Sequence, residues 1–391
     1  MSSKRQYQFR ELLFPVYLPS ALFSIAEGAI IPILPASAQA LGANLATAAI
    51  VTGLIMIGTL IADIPAAKLV HRLGERAAMI LAAFVAVVGI SLAYFADTIW
   101  QLGLGVFLLG ATAAIFGLAR HAYVAETVPF EYRARSLSIL GGVFRFGAFA
   151  GPMIGAGLIA LFSTRSVFLC SIALSAIAGL LLLITRPEKM AKATVPSTTG
   201  IIKIANQNRH KLLTLGLASG MLTMARTARN IGLPLWALHI KMDLSHSTLI
   251  IGIAAAVDVA LFFVGGKAID QRGRRFAAVP TMVAVGLGLA LIPFSTNVVT
   301  FFLVALFLSL GNAMGAGLVM VIGADLAPEG RQNQFLASYR FLLDLGVASA
   351  APVLSIMTAV ASLASGLYLI GGVSIAGAWL MHKYLPHHGI R

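Results

Sequence analysis

Runs of about twenty apolar residues recur along nearly the whole chain, and they restrict its fold more than any other feature. A helix needs about 20 such residues to cross a bilayer core of about 30 Å. Short alternating strands, which a membrane barrel requires, are absent. The twelve runs lie near residues 12–36, 45–67, 77–96, 99–122, 136–163, 166–185, 212–238, 247–266, 277–295, 298–323, 335–360 and 363–382. The sequence therefore predicts an all-α integral membrane protein with twelve transmembrane helices.

Composition argues against a soluble domain, and the absence of catalytic motifs argues against an enzyme. Apolar residues make up 59% of the 391 residues and charged residues only 11%, whereas charged residues form about 25% of a soluble domain. The single cysteine, Cys170, lies in the sixth run and excludes a disulfide framework. The sequence contains no phosphate-binding loop, nucleophile triad or metal-ligand spacing. We therefore expect no catalytic residues, no cofactor and no metal.

The net charge of +14 is distributed in a way that indicates topology. Most of the 28 Lys and Arg residues lie at the two termini or in the connections that follow even-numbered runs. Only Arg165 and Lys241 lie in connections on the opposite side. Bases concentrate on the cytoplasmic side of membrane proteins. We therefore expect both termini in the cytoplasm, a place in the cytoplasmic membrane, an uncleaved first helix, and no nucleic-acid partner.

The two halves of the chain repeat each other. Three pairs of residues share a spacing of about half the chain: Gly74 with Gly273 at 199 residues, Arg133 with Arg331 at 198, and Pro152 with Pro352 at 200. Such a repeat predicts two pseudo-symmetric six-helix bundles. Their predicted bounds are 1–185 and 212–391, joined by a polar cytoplasmic linker at 186–211. Nothing in the pattern requires more than a monomer.

The connection after the eighth run carries a motif. Gly266, Asp270, Gly273, Arg274 and Arg275 occur in "GKAIDQRGRR" and resemble the loop motif of the major facilitator superfamily. The resemblance covers essentially the whole chain. In the first-half copy, Ala67, His71 and Glu75 replace the first Gly, the Asp and the first base. The resemblance implies a cytoplasmic latch between the halves, whose remaining members we expect to be Asp63, His71, Arg72, Gly74, Arg76, Glu126, Arg133, Asp325 and Arg331.

A second motif lies in the fifth run. Gly147, Gly151, Pro152 and Gly155 resemble the Gly-Pro pattern of the drug:proton antiporter branch of that superfamily. Small residues at this spacing let helices approach closely, and the proline bends the helix. The branch also carries an arginine in the fourth helix, but Val106 occupies that position here. Proton coupling is therefore expected to use another residue.

Seven ionisable residues lie inside the runs, where each costs roughly 2.5–3.5 kcal/mol on insertion scales. They are Glu27, Arg145, Arg226, Arg229, Asp258, Arg340 and Asp344. Glu27, Asp344 and Asp258, in that order, are the expected proton carriers. The expected solute cavity contains Glu27, Arg145, Arg226, Arg229, Arg340, Asp344 and Trp236. Two other interpretations are snorkelling to the membrane surface, which suits Arg340, and purely structural ion pairs.

The repeat relates these charges to one another. An offset of 199 takes Glu27 to Arg226 and Arg145 to Asp344, so equivalent positions carry opposite signs. In the superfamily fold, helices one and five are neighbours, as are helices seven and eleven. The resemblance and the offset together predict the pairs Glu27–Arg145 and Arg226–Asp344.

The resemblance implies secondary active transport by alternating access, with a small-molecule solute, protons and the lipid bilayer as partners. The Gly-Pro motif favours proton-coupled export of a small amphipathic solute. The excess of arginine, including Arg120, indicates an anionic group on that solute, unless the extra arginines cap helix carbonyls. Two alternatives remain: proton-coupled uptake of an organic anion or nutrient, and a membrane receptor or scaffold that transports nothing.

Overall fold

A computed structural model describes residues 12–185, 198–328 and 330–385, and within these ranges the chain is helical with no strand. Sixteen α-helices follow one another: α1 (Leu18–Ile30), α2 (Leu34–Ala40), α3 (Leu45–Leu73), α4 (Glu75–Tyr94), α5 (Ile99–Thr127), α6 (Phe130–Leu161), α7 (Thr164–Ile184), α8 (Thr198–Gln207), α9 (Arg209–Lys211), α10 (Leu217–His239), α11 (Leu244–Arg272), α12 (Arg274–Leu291), α13 (Val298–Met314), α14 (Leu318–Leu326), α15 (Gln332–Val360) and α16 (Leu363–Tyr384).

Within these ranges, eleven helical segments are long and apolar enough to cross a membrane, so the chain is a multi-pass membrane protein. Twelve were predicted. The seventh predicted run does form a helix, α10, but it is not among the eleven. Arg226, Arg229 and Asn230 lie near its middle and lower its hydropathy. The same polar side chains make α10 central to the candidate site.

Two of the predicted runs are interrupted helices. The first consists of a π-helical turn at Leu13–Tyr17, α1, a 3-10 turn at Ile31–Ile33, and α2. Pro32 and Pro35 lie at this break, and proline cannot donate the backbone hydrogen bond that a continuous helix needs. The tenth run divides between α13 and α14, where Gly317 adopts a φ of 77°. The apolar run at 298–323 predicted one continuous helix there.

The repeat is visible in the helix ends. Gly74 before α4 and Gly273 before α12 have φ values of 82° and 87°, a left-handed backbone that favours glycine. Capping boxes also recur at the repeat spacing. Thr98 begins α5 with Gln101 at the third helical position, and Asn297 begins α13 with Thr300 in the same place. Each such cap contributes about 1 kcal/mol. The equivalent helices α4 and α12, and likewise α5 and α13, therefore start in the same way in both halves.

Contacts divide the chain into two compact units. The first unit contains the residues up to Ile31 and those from Leu54 to the linker, and the second contains Pro32–Gly53 and the rest. In the first unit α1 packs on α6, and α4 packs on α5 and α7. In the second unit α10 packs on α15, and α12 packs on α13 and α16. These are the same pairs under the repeat, and they make helices one and five, and seven and eleven, neighbours as expected.

The grouping of Pro32–Gly53 with the second unit reflects contacts to α15. Ser355 Oγ donates a hydrogen bond to the carbonyl of Ala46 at 2.8 Å, and Gly53 meets Ala351. The predicted domain bounds follow the repeat instead of these contacts, and they stay a prediction. Residues 186–197 of the predicted linker lie outside the described residues. Its second part forms α8, which packs on α15 through the buried side chain of Ile204.

Candidate functional site

Arg229 on α10 is the best-anchored charge inside the second unit. Its side chain is 7% exposed, and one Nη2 atom reaches both Asp258 Oδ2 on α11, at 2.7 Å, and Ser309 Oγ on α13, at 2.9 Å. A guanidinium group this deep needs a compensating carboxylate, because burying an unpaired charge is strongly unfavourable. Three helices are therefore joined through one arginine.

Asp258 is held on both of its oxygens. Asn312 Nδ2 on α13 donates to Asp258 Oδ1 at 3.1 Å, opposite the bond from Arg229. Asp258 was expected as the third proton carrier, and that role stays a prediction. The sequence reasoning missed Ser309 and Asn312. Their one signal was polarity inside the apolar run "FLSLGNAMG", which by itself does not separate a site from ordinary packing.

The polar network retains unused hydrogen-bonding atoms. Among the described residues, Arg229 Nε and Asn312 Oδ1 of this network are buried without a hydrogen-bond partner, and so is Thr281 Oγ1 on α12, near Gly315. Buried polar atoms are normally satisfied, by protein or by ordered water. These atoms comprise a donor, an acceptor and a hydroxyl, so they can bind a polar group of a solute or water molecules.

Arg226 lies one turn before Arg229 on α10 and contacts the break after α13. Its Nη2 donates to the carbonyl of Gly315 at 2.9 Å. Gly315 is the C-cap of α13, and its carbonyl also accepts a hydrogen bond from the backbone nitrogen of Leu318 at 3.2 Å. Capping a helix carbonyl was one of the two roles considered for the extra arginines. The predicted pair Arg226–Asp344 stays a prediction.

In the first unit, Glu27 on α1 and Arg120 on α5 attract each other electrostatically. One turn earlier on the same two helices, Phe23 and Phe116 stack with ring centroids 4.4 Å apart and planes 8° from parallel. The spacing of four residues places each charge directly beside a ring, because residues four apart share a helix face. The guanidinium carbon of Arg120 also lies 5.2 Å from the ring of Phe144, a cation–π geometry.

Arg120 was considered only as an additional positive charge, and the sequence reasoning paired Glu27 with Arg145 instead. The structure brings Arg120 to Glu27, while the Glu27–Arg145 pair stays a prediction. The signal that could have identified Arg120 is the matching register, with an aromatic residue four positions before each charge. That register becomes informative only once the two helices are known to be adjacent.

The other residues of the predicted cavity are less enclosed. Arg340 Nε lies 3.4 Å from Asp344 Oδ2 one turn later on α15, and the arginine side chain is 65% exposed. Such exposed pairs contribute little, about 0.3–0.5 kcal/mol. Arg145 on α6 is half-buried. Trp236 is buried, and its indole nitrogen donates to the carbonyl of Ser295 at 2.9 Å, which ties α10 to the turn after α12. Their assignment to a solute cavity stays a prediction.

The glycines of the helix-five motif lie where α6 meets α1. A Cβ atom on Gly28 of α1 would lie 2.6 Å from the carbonyl oxygen of Gly147, and one on Gly151 would lie 2.5 Å from the nitrogen of Ala29. No side chain fits at these distances. Gly155 and Pro152 are also buried on α6. The close approach brings α1, and with it Glu27, onto α6.

Several of the predicted latch residues are engaged within their own unit. Arg274 Nε binds Asp325 Oδ2 at 2.8 Å, and Arg275 Nη2 lies 2.6 Å from the Nε2 atom of His382. Arg76 donates to the carbonyls of residues 182 and 183, at 2.9 and 3.0 Å. Arg133 donates to the carbonyl of residue 128 at 3.5 Å.

The remaining latch residues are placed less closely. Glu126 contacts Glu75, Asp63 is half-buried, and the exposed members are His71, Arg72 and Arg331. Gly266 and the side chain of Asp270 lie outside the described part of the chain. The latch between the halves stays a prediction.

Comparison with known proteins relates this architecture to a known family. A family model described as Major Facilitator Superfamily matches residues 16–351 and 215–389. The chain is 29% identical over 163 residues to the multidrug resistance protein MdtG of Enterobacter lignolyticus, a match that covers 41% of this chain and 39% of that protein. It is 28% identical over 204 residues to an uncharacterized MFS-type transporter of Mycobacterium tuberculosis, covering 52% of this chain and 29% of that one. The matches thus span well under two thirds of the length of these relatives.

Two solved structures share the fold at low sequence identity. A POT family transporter in complex with 5-aminolevulinic acid superposes with a TM-score of 0.79 at 13% identity, over 96% of both chains. A D-xylose–proton symporter superposes with a TM-score of 0.73 at 16% identity, over 97% of this chain and 99% of the other. At these identities the likeness establishes the architecture alone.

Proposed function

Because the chain belongs to the major facilitator superfamily, a family of transporters and not of enzymes, we propose that it exports a small amphipathic solute in exchange for protons. Family membership supports transport through the membrane. The coupling ion, the direction and the solute are our proposal. The likeness of part of the chain to a multidrug resistance protein supports export, and so does the Gly-Pro motif of α6.

The observation that carries the proposal is the position of Glu27. This carboxylate lies on a membrane helix, faces the guanidinium group of Arg120 and adjoins the stacked rings of Phe23 and Phe116. Ionisable groups inside a membrane are costly and are retained chiefly for function. A solute with an apolar ring and a hydrogen-bond donor can stack on the aromatic pair and bind the carboxylate. A proton on Glu27 removes the negative charge that strengthens this bond, so proton and solute compete, as exchange requires.

An anionic group on the solute remains part of the proposal. Inside the runs, five arginines (Arg120, Arg145, Arg226, Arg229 and Arg340) accompany four carboxylates (Glu27, Asp63, Asp258 and Asp344), an excess of one positive charge. Guanidinium groups bind carboxylate or phosphate in a bidentate manner. The buried Nε donor of Arg229 is one point at which such a group can bind.

A second candidate function, uptake of an organic anion together with protons, is favoured by the Glu27–Arg120 attraction itself. An anion that binds Arg120 withdraws the charge that compensates Glu27. The carboxylate then favours its protonated form, because an unpaired charge is poorly tolerated in that environment. Proton and anion would thus assist each other in binding, which is the requirement for symport. Proton and solute compete for the site in the export proposal and assist each other's binding in the uptake alternative, and this difference separates the two candidates.

The experiment is solute flux in proteoliposomes under an imposed pH gradient of either polarity, with a panel of anionic, neutral and cationic amphipathic solutes. Glu27→Gln is compared with wild type. Asp97→Asn is the matched control, since it removes an exposed carboxylate between α4 and α5. We expect Glu27→Gln to lower gradient-driven flux at least about tenfold, or about 1.4 kcal/mol in transition-state free energy, while solute exchange without a gradient persists.

The polarity of the gradient identifies the direction. Solute movement against the proton flow supports export by exchange, and movement with it supports the uptake alternative. Gradient-driven flux that Glu27→Gln leaves at the level of Asp97→Asn would refute the role of Glu27. Flux that ignores the pH gradient altogether would refute proton coupling.

A further inference from the structure

Two carboxyl groups meet where α4 begins and α5 ends. Glu75 is the first residue of α4, and Glu126 is the last residue but one of α5. The two side chains lie within reach of each other. Glu75 is only 5% exposed, and Oε2 of each glutamate is buried without a hydrogen-bond partner. Glu126 is half-buried. A nearly enclosed acid beside a second acid, each with an unused acceptor atom, is unusual, because buried carboxylates normally face a base.

The repeat supplies an internal comparison for this pair. An offset of 199 takes Glu75 to Arg274 and Glu126 to Asp325. In the second unit those two residues form an ion pair at 2.8 Å, after the same left-handed glycine that precedes Glu75 in the first unit. The backbone setting is therefore shared, and only the first unit replaces the base by an acid. A favourable ion pair in one half corresponds to two like charges in the other.

Neighbouring bases do not supply the missing positive charge in the part of the chain that the structure describes. Neither carboxyl group takes part in an ion pair within 4.0 Å there. Among the described side chains, the charged or titratable groups on adjoining turns and helices are His71 and Arg72 at the end of α3, Arg76 on α4, Arg120, His121 and Tyr123 on α5, and Tyr132, Arg133 and Arg135 on α6. Arg76 is directed to carbonyls of α7, and Arg133 donates to the carbonyl of Val128.

We propose that Glu75 and Glu126 form a proton-binding site, in which one proton is shared between the two carboxyl groups. Two ionised carboxylates are both acceptors and cannot hydrogen-bond to each other. One proton makes the contact possible and halves the charge, as in other carboxyl pairs that share a site. The site is separate from Glu27 and does not depend on which solute is transported.

The helix termini decide which carboxyl group carries the proton. Glu75 lies at the N-terminus of α4, where the partial positive charge of the helix stabilises a carboxylate. Glu126 lies in the last turn of α5, where the partial negative charge opposes one. Glu126 is therefore the protonated donor and Glu75 the ionised acceptor. Both lie at the membrane face that the distribution of bases predicts to be cytoplasmic, so the site senses the pH of that compartment.

The test is infrared spectroscopy of the full chain in lipid nanodiscs at neutral pH, in ordinary and heavy water. The carbonyl stretch of a neutral carboxyl group is distinct from that of a carboxylate and shifts on deuteration. We expect Glu126→Gln to remove the absorbance of one neutral carboxyl group. We expect Glu75→Gln to remove the same absorbance, because an amide at that position donates to Glu126 and leaves it ionised. Both substitutions nearly preserve shape.

Asp325→Asn is the matched control, since it alters the equivalent position in the second unit, where the partner is a base. It should leave the neutral-carboxyl absorbance unchanged. Raising the pH should remove the wild-type band in a single step. Spectra of wild type and both glutamine variants that superimpose in this region would overturn the proposal. A band that Glu126→Gln removes but Glu75→Gln leaves would show an isolated acid and would also overturn the proposal. So would a wild-type spectrum that lacks the band but changes when sodium is added, because it would show a cation site.

Discussion

Replacing Asp258 by Asn should destabilise the second unit strongly, because it leaves the guanidinium group of Arg229 buried without a counter-charge. The two side chains are 7% and 17% exposed and 2.7 Å apart. Removing one partner of a buried pair costs about 3–5 kcal/mol. At about 2–4 °C per kcal/mol for a domain of about 200 residues, the midpoint of thermal unfolding should fall by at least about 6 °C.

The double-mutant cycle separates this cause from a general loss of packing. Arg229→Met alone leaves the Asp258 carboxylate with one bond from Asn312 and should cost a similar amount. The double variant buries no unpaired charge, and replacement of both partners is commonly close to neutral. Its unfolding midpoint should therefore lie well above that of either single variant. The assay is thermal unfolding of detergent-purified protein, followed by the fraction that stays monodisperse.

Additive losses in the double variant would refute the reasoning. They would mean that the pair is not coupled and that each side chain matters through its own packing. Single variants with the same unfolding midpoint as wild type would also refute the reasoning, since a buried charge cannot lose its partner without a loss of stability.

Three further outcomes follow from contacts described above. Gly147→Val should lower stability by about 1–3 kcal/mol, because the new side chain would overlap α1, whereas Gly142→Val on the same helix has open space around it and should be neutral in the same thermal assay. Trp236→Phe should cost about 1 kcal/mol through the lost hydrogen bond to a buried carbonyl, measurable as a lower unfolding midpoint. Arg274→Gln should lower stability by under about 1 kcal/mol, since the pair with Asp325 is partly solvated. This loss of stability should shrink in high salt, and a loss that high salt leaves unchanged would contradict the ionic interpretation.

The class and the repeat were accessible from sequence because both rest on averages over many residues. Twenty-residue apolar runs and a spacing of half the chain tolerate local error. The helix boundaries shifted by a few residues, as for α5, which extends to Thr127 beyond the predicted end at 122. The predicted neighbours, helices one with five and seven with eleven, also hold. The repeat alone does not imply them, since they came from the resemblance to a known fold.

The pairing of charges was harder to predict, because it depends on helix rotation. A spacing of four residues identifies a shared face but not the helix it meets. Glu27 lies beside Arg120 on α5, a partner that the sequence did not indicate, and its predicted pairing with Arg145 on α6 stays a prediction. Neutral partners such as Ser309 and Asn312 gave no signal above the background of polar residues in membrane helices. The break at Gly317 was missed because glycine permits a left-handed turn without requiring one.

The break between α13 and α14 has a mechanical consequence. The carbonyl of Gly315, at the end of α13, accepts from the backbone nitrogen of Leu318 at the start of α14 and also from the side chain of Arg226 on α10. Turning α10 about its axis would withdraw Arg226 from the break, and bending at the break would carry the carbonyl away from Arg226. Neither movement is independent of the other. The seventh and tenth spans are therefore expected to move together. The second unit then contains fewer independently moving helices than its total number of helices.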